Sequence, residues 1–277
     1  MRRNFRGFTL IELLVVIAVI GLLSSIVLVN MDLPAQRQKA RIAKTLEFSS
    51  SVQNALGSEA VGIWNFDDCT ATDLSGFKNN GTINGATCSS DTPQKIVGAG
   101  QGKNSLSFNG VSDYVSAGST NVPTGDKPIT YEAWVKINKY TTGGSGASMV
   151  VGRLYSDPHG LLISSTGLVG TRILNGSNDN YYYSNNAISK NLWHHIALSY
   201  QSSKVNIYID GVLDKSTATV AVPGISSGNI LMGEFNGGSW YNGLIDEVRI
   251  YGQALTLGQI QKHYAEGLEK HKNFVIK

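Results

Sequence analysis

Glu12 is the one charged residue between Arg6 and Asp32, set in the run Phe8-Thr-Leu-Ile-Glu12-Leu-Leu-Val-Val-Ile-Ala-Val-Ile-Gly-Leu-Leu-Ser-Ser-Ile-Val-Leu-Val29. A carboxylate held in lipid costs several kcal/mol unless a cation meets it. No Lys or Arg stands nearby on its C-terminal side, so the acid needs a partner that this segment does not supply. Elsewhere, His194-His195 invite a metal or base reading. Adjacent strand residues diverge, which predicts one packed histidine and one exposed. No Ser or Cys in a nucleophile motif accompanies them. Cys69 and Cys88 have neither a second Cys nor a His at metal-ligand spacing, which argues against zinc. In an exported chain they read as a disulfide, closing a loop worth about 3 kcal/mol on the entropic account; two free buried thiols are the alternative. Tyr181-Tyr-Tyr183 and Trp240-Tyr241 lie in stretches, 175–186 and 236–242, whose Gly/Asn content predicts loops. There Tyr182, Trp240 and Tyr241 are candidates to stack on sugar rings while Asn side chains bond hydroxyls. Burial as strand and core aromatics is the competing reading.

Charge narrows the class of partner. Residues 1–60 carry seven Lys/Arg and four acids, whereas 61–277 carry sixteen of each. The larger part is neutral and lacks a basic stripe, so no nucleic-acid partner is expected.

The elements that must position these residues follow from periodicity. Phe8 to Val29 as a helix is about 33 Å long, which matches a bilayer core. Arg2, Arg3 and Arg6 precede it, which puts the N-terminus inside and the rest outside. Residues 35–56 keep helical spacing through Ile42, Leu46, Val52 and Leu56 and are rich in helix formers. One long helix over about 8–56 is expected, with Pro34 as a kink point and Gly57 as a stop. From Gly62 the pattern switches to period two, with Asn109-Gly110 and Asp210-Gly211 as turn signals. Many short strands separated by Gly and Asn turns predict a mainly β fold, a jelly-roll β-sandwich. Residues 256–270 read as a short amphipathic C-terminal helix capped by Thr256, with Leu257, Ile260, Tyr264 and Leu268 on its packed face.

The opening residues resemble the prepilin processing motif of type IV pilins and type II secretion pseudopilins. A basic leader ends in Gly7, Phe8 follows, and Glu12 is the fifth residue after the cut. The resemblance implies cleavage between Gly7 and Phe8 by a prepilin peptidase, N-methylation of Phe8, and pairing of Glu12 with the amine of a neighbouring pilin subunit. It implies residence in the inner membrane and then display on a cell-surface filament. Residues 62–264 resemble the laminin G-like branch of the concanavalin A-like lectin/glucanase superfamily. The stretches that carry this are Trp64-Asn-Phe-Asp67, Leu106-Ser-Phe-Asn-Gly110, Asp113-Tyr-Val115, Tyr131-Glu-Ala-Trp-Val-Lys136, Trp193-His-His-Ile-Ala197, Val205-Asn-Ile-Tyr-Ile-Asp-Gly211 and Gly243-Leu-Ile-Asp-Glu-Val-Arg-Ile-Tyr251.

The expected layout is a leader over 1–7, a membrane and fibre-core helix over 8–30, a helical stalk over 31–60, the concanavalin A-like sandwich over 61–270 and a tail over 271–277. Glucanases of this fold cluster their carboxylates on one strand. Here Glu132 stands alone, and adjacent Asp246 and Glu247 should face opposite ways, so a binding protein is expected and not an enzyme. The resemblance also implies a structural Ca²⁺ on Asp67 and Asp246, with Asp68 able to replace Asp67 and a turn-fixing Asp as the alternative. The function expected is a minor or tip pilin whose head binds a surface ligand such as a glycan. A type II secretion pseudopilin and a cell-surface glycan hydrolase are the alternatives.

Overall fold

The computed structural model describes residues 14–17, 60–93, 104–141, 146–153, 160–175, 178–218, 221–225, 227–235 and 238–270. Gly7, Phe8 and Glu12, most of the helix expected over 8–30, the stalk and the tail lie outside them. Residues 14–17 are helical and belong to a unit, 1–55, distinct from the head that follows. Among the described residues no helix is long and apolar enough to cross a membrane.

The head is a sandwich of two antiparallel sheets. The larger contains β1 (Ala60–Trp64), β3 (Thr87–Ser89), β4 (Ser105–Asn109), β6 (Ile129–Lys139), β11 (Trp193–Gln201), β12 (Lys204–Ile209), β13 (Val212–Ala218) and β17 (Asn242–Tyr251). Their order is β13-β12-β11-β6-β17-β4-β3, with β1 also paired to β17. The smaller is built from β2 (Gly81–Asn84), β5 (Tyr114–Ala117), β7 (Ala147–Arg153), β8 (Gly160–Ser164), β9 (Leu168–Asn175), β10 (Asn178–Ala187) and β14 (Ile230–Met232), in the order β10-β9-β8-β7-β14-β5-β2. A two-stranded ribbon, β15 (Glu234–Phe235) with β16 (Ser239–Trp240), is not part of either sheet and packs Phe235 against Ala147 and Met149 of β7.

Period-two alternation aims Leu106, Tyr131, Val135, Leu198, Ile207 and Ile245 of the larger sheet inward. They meet Val150, Leu161, Ile163 and Val169 of the smaller one in a single apolar layer. Asp210 (φ 51°) and Gly211 (φ 74°) both sit in the left-handed region that a two-residue hairpin turn requires, as Asp-Gly predicts.

The first strand of the sandwich, β1, begins at Ala60. Two expectations are corrected. The stretch 178–186 is strand, not loop, because β10 pairs with β9 from Asn178↔Asn175 through Tyr183↔Gly170. The C-terminal helix α1 (Leu257–Lys270) packs through the expected Ile260, Tyr264 and Leu268 but not through Leu257, and His263 and Gly267 join that face. Ile260, His263 and Gly267 are buried, Tyr264 is half-buried, and Leu257 is 40 % exposed. Thr256 caps α1 in a reciprocal box: the Gln259 N–H donates to Thr256 Oγ1 at 3.4 Å, and Gln259 Oε1 accepts from the Thr256 N–H at 2.8 Å.

Candidate functional site

Three chain-distant strand ends converge at one rim of the larger sheet, because Asn242 opens β17 opposite both Asn109 of β4 and Lys139 of β6. Asn242 Nδ2 donates to the Asn109 carbonyl at 2.8 Å. The turn behind it is fixed by Asn109, whose Oδ1 accepts from the N–H groups of Val111 (2.7 Å) and Ser112 (3.0 Å). This leaves a cleft of about 380 Å³ bordered by Val111, Lys139, Tyr140, Trp240 and Asn242. Trp240 is half-buried, its ring tilted on Tyr114 with centroids 6.1 Å apart. Tyr140 donates its hydroxyl to the Ile188 carbonyl at 2.6 Å and carries Lys190 Nζ 5.2 Å above its ring. Among the described residues the Lys139 ammonium, the Trp240 indole N–H and Asn242 Oδ1 make no hydrogen bond. An aromatic wall beside open donors and an acceptor suits a ring with apolar faces and polar edges.

Of the three aromatics expected to present themselves to a ligand, only Trp240 reaches this cleft. Tyr241 is fully buried, edge-on to Phe108, and donates its hydroxyl to the Leu244 carbonyl at 3.1 Å. Burial pushes its phenol well above the ordinary range. It is a core residue, because strand alternation turns it inward where Trp240 turns out. Tyr182 also faces inward, packing on the main core, and its hydroxyl accepts from the Ala221 N–H at 3.1 Å. Its neighbours Tyr181 and Tyr183 take the outer face instead, stacked 5.9 Å apart. The odd-even choice within Tyr181-Tyr-Tyr183 depends on register, which the composition of the stretch does not reveal.

The other candidate side chains are structural in their placement. Cys69 and Cys88 are bonded, with Cα atoms 5.4 Å apart. Glu132 is 1 % exposed, and its two oxygens lie 2.8 and 3.1 Å from Nδ1 of His263 on α1. Burial presses the Glu132 carboxyl upward, but the charge and hydrogen bond of His263, helped by His195 and Arg249, leave it below its ordinary value. His195 packs between Trp134 (5.4 Å) and Tyr264 (6.0 Å), and burial pushes it down to about 4 against the pull of Glu132. His194 is less exposed than expected: its Nδ1 pairs with Asp210 at 2.8 Å, and its side chain is 15 % accessible.

Asp246 and Glu247 do not alternate across the sheet. Both are buried, because the register shifts between Asp246 and Arg249 and Glu247 takes a left-handed backbone (φ 49°). Glu247 accepts from Arg249 at 3.0 Å, and Asp246 Oδ1 accepts from the Glu247 N–H at 2.8 Å. Asp67 Oδ2 accepts from Asn65 at 2.8 Å, and Asp68 is exposed, its carboxylate taken up by Thr70. Among the described residues no group of three or more His, Cys, Asp or Glu comes together as a metal site.

Comparison with known proteins agrees with this geometry. Residues 109–261 match the concanavalin A-like lectin/glucanases superfamily in its laminin G form, and residues 2–28 match the prokaryotic N-terminal methylation motif. No curated protein matches the chain. Among solved structures, domain 4 of AbnA, a GH43 extracellular arabinanase from Geobacillus stearothermophilus in complex with arabinotriose, superposes with a TM-score of 0.57 at 19% identity, covering 73% of this chain and 97% of that one. The binding domain of Paraclostridial Mosquitocidal Protein 1 gives 0.62 at 14% identity over 76% of this chain and 53% of its own. A botulinum neurotoxin type C chain, described with its dependence on two ganglioside molecules for cell entry, gives 0.59 at 12% identity over 78% and 53%. This chain therefore spans about half the length of the toxin chains it matches, and at these identities the likeness is one of fold. The chain belongs to the concanavalin A-like lectin/glucanases superfamily, its sandwich carried behind a prokaryotic N-terminal methylation motif.

Proposed function

We propose that the chain is a minor or tip subunit of a type IV pilus-like filament, and that its head binds a surface glycan in the rim cleft beside Trp240. The single observation that carries the binding half is the cleft itself: an indole wall with the open polar groups of Lys139, Trp240 and Asn242 around it. The reading draws further support from neighbours of the same fold, one described with arabinotriose and one with gangliosides. The filament half rests on the methylation motif over 2–28. In it a prepilin peptidase cuts after Gly7, the subunit is held in the inner membrane, and Glu12 pairs with the new amine of a neighbouring pilin. The head binds and does not hydrolyse in this reading, since Glu132 is shut beneath α1 against His263.

A calcium ion on Asp67 and Asp246 belongs to the same proposal. Phe66 (φ 51°) and Glu247 (φ 49°), the chain neighbours of the two acids, both hold left-handed backbones. Left-handed backbone at a non-glycine residue is found at turns and bulges and also at ligand sites, and its presence beside both acids supports the last of these here. Since no group of three or more acids or other ligating side chains gathers among the described residues, the ion would take its other ligands from backbone carbonyls, which are hard oxygens of the kind Ca²⁺ accepts.

A glycan array probed with the full chain tests the binding half. Trp240→Ala is expected to weaken any array hit by about tenfold or more, the loss of a stacked ring. An unchanged array would remove the cleft from consideration. Glu12→Ala is expected to leave processing intact and abolish filament incorporation, and normal incorporation of that variant would sink the assembly role.

A further inference from the structure

A second cavity, of about 460 Å³, lies on the outer face of the larger sheet, where β11 and β12 run past the start of α1. Its floor is Ser199, Gln201, Lys204, Asn206 and Tyr208. These side chains turn away from the core because Leu198, Tyr200, Val205 and Ile207 occupy the inward positions. None of its lining residues is shared with the rim cleft.

Two independent features point to a ligand, and the second of them to a negative group on it. The first is Tyr208, which is 3 % exposed and packed with Ala197, Leu255 and Ile260. Its hydroxyl bonds to no described residue, although the side chain borders the cavity. The ring is buried while the side chain borders the cavity, so the hydroxyl is available there to a ligand oxygen. The second is the sign of the charge. Lys204 is exposed and in no ion pair among the described residues. The wall opposite is the first turn of α1, a helix of 14 residues with no acid in that turn. Its Thr256–Gln259 box satisfies the Gln259 N–H, and Ile260 donates to the Thr256 carbonyl. Leu257 lines the cavity, and its N–H is one of the first-turn donors that a helix leaves without an intrahelical acceptor. A helix start with a free donor favours an anion, and among the described residues no carboxylate lines the cavity to compete.

We propose that this cavity binds an acidic sugar unit, a uronic or sialic acid. Its carboxylate sits between the Lys204 ammonium and the Leu257 N–H. Its hydroxyls meet Asn206, Gln201 and the Tyr208 hydroxyl. A bare carboxylate would use only the cationic end, whereas the amides and hydroxyls along the strand floor match a polyhydroxylated ring. The volume is that of a small-ligand site.

Isothermal titration of the full chain, kept in detergent micelles, with glucuronate, N-acetylneuraminate, glucose and acetate tests this. At least one of the two acidic sugars is expected to bind, with glucose and acetate each at least about tenfold weaker. Lys204→Gln should weaken that binding about tenfold and Tyr208→Phe about fivefold, with unchanged circular dichroism. Trp240→Ala should leave it unaltered, which separates this site from the rim cleft. The proposal is overturned if neither acid binds at about 50 mM, far above the millimolar range of a weak site. It is equally overturned if glucose or acetate binds as tightly, if the Lys204 and Tyr208 variants bind like the parent chain, or if Trp240→Ala removes the binding.

Discussion

The two faces of β6 solve opposite problems with alternate residues of one strand. Inward, Tyr131, Ala133, Val135 and Ile137 join an apolar layer in which nearly any neighbour of the right size will do. Outward, each residue is tied to a specific partner. Thr130 donates to the Gln253 carbonyl at 2.7 Å, Glu132 meets His263, Trp134 stacks on Tyr264 at 5.6 Å, and Lys136 reaches Asp91 at 2.6 Å. The inner face holds the sheets together through area removed from water. Two of the outer contacts, Glu132 with His263 and Trp134 with Tyr264, hold α1, and a buried polar pair such as the first is stabilising only while every member is satisfied. The difference teaches where the head is sensitive to chemistry and where it is sensitive only to volume.

The contrast can be broken most severely from the dry side. Ile245→Ala, at a fully buried position, is expected to cost about 4 kcal/mol by urea denaturation, and to cost the same at about pH 8 and about pH 5. A pH-dependent loss would show that the two faces are coupled.

Acid should probe the wet side. His195 titrates near 6.5 when unfolded and about 4 when folded, so its contribution is complete above 6.5 and is lost as pH falls toward 4. A gap of that size corresponds to about 3 kcal/mol once pH is below the folded value. Glu132, also lowered in the fold, adds to the loss below its ordinary range. His195→Phe keeps a ring between Trp134 and Tyr264 and should flatten stability against pH between about 6.5 and 4. An unaltered slope would assign the acid sensitivity elsewhere.

The smallest effect belongs to the edge of that layer. Thr256→Ala removes the α1 cap and should cost about 1 kcal/mol. Amide exchange should quicken in the first turn of α1 and not in β7 or β8. Equal quickening in both would mean that α1 and the sandwich open as one unit.

How much of this was legible in the sequence depends on whether pattern or partner decides the structure. Strands with one inward face, such as Lys204–Ile209 and Trp193–Gln201, announced themselves by alternation, and the Asp210-Gly211 turn by its dipeptide. The middle of the smaller sheet did not. Ala147–Arg153 and Gly160–Ser164 are buried at every position, so they carry no period to read. Asn178–Ala187 is a strand composed of residues usual in turns, held by its pairing with β9. The candidate site fared likewise. Trp240 was visible as an aromatic among Gly and Asn, but the cleft exists only because Asn109, Lys139 and Asn242 meet in register. His263 carried no motif, and only the docking of α1 brings it to Glu132.

Cys88 lies in β3, the outermost strand of the larger sheet and only three residues long. A sheet border with unpaired amides is a template on which a second copy can grow. Shortness leaves little to copy, and the covalent tie to Cys69 keeps the border from peeling back to expose β4. Wherever many heads crowd side by side, that stapled margin lets them stay separate molecules and not fuse into one continuous ribbon.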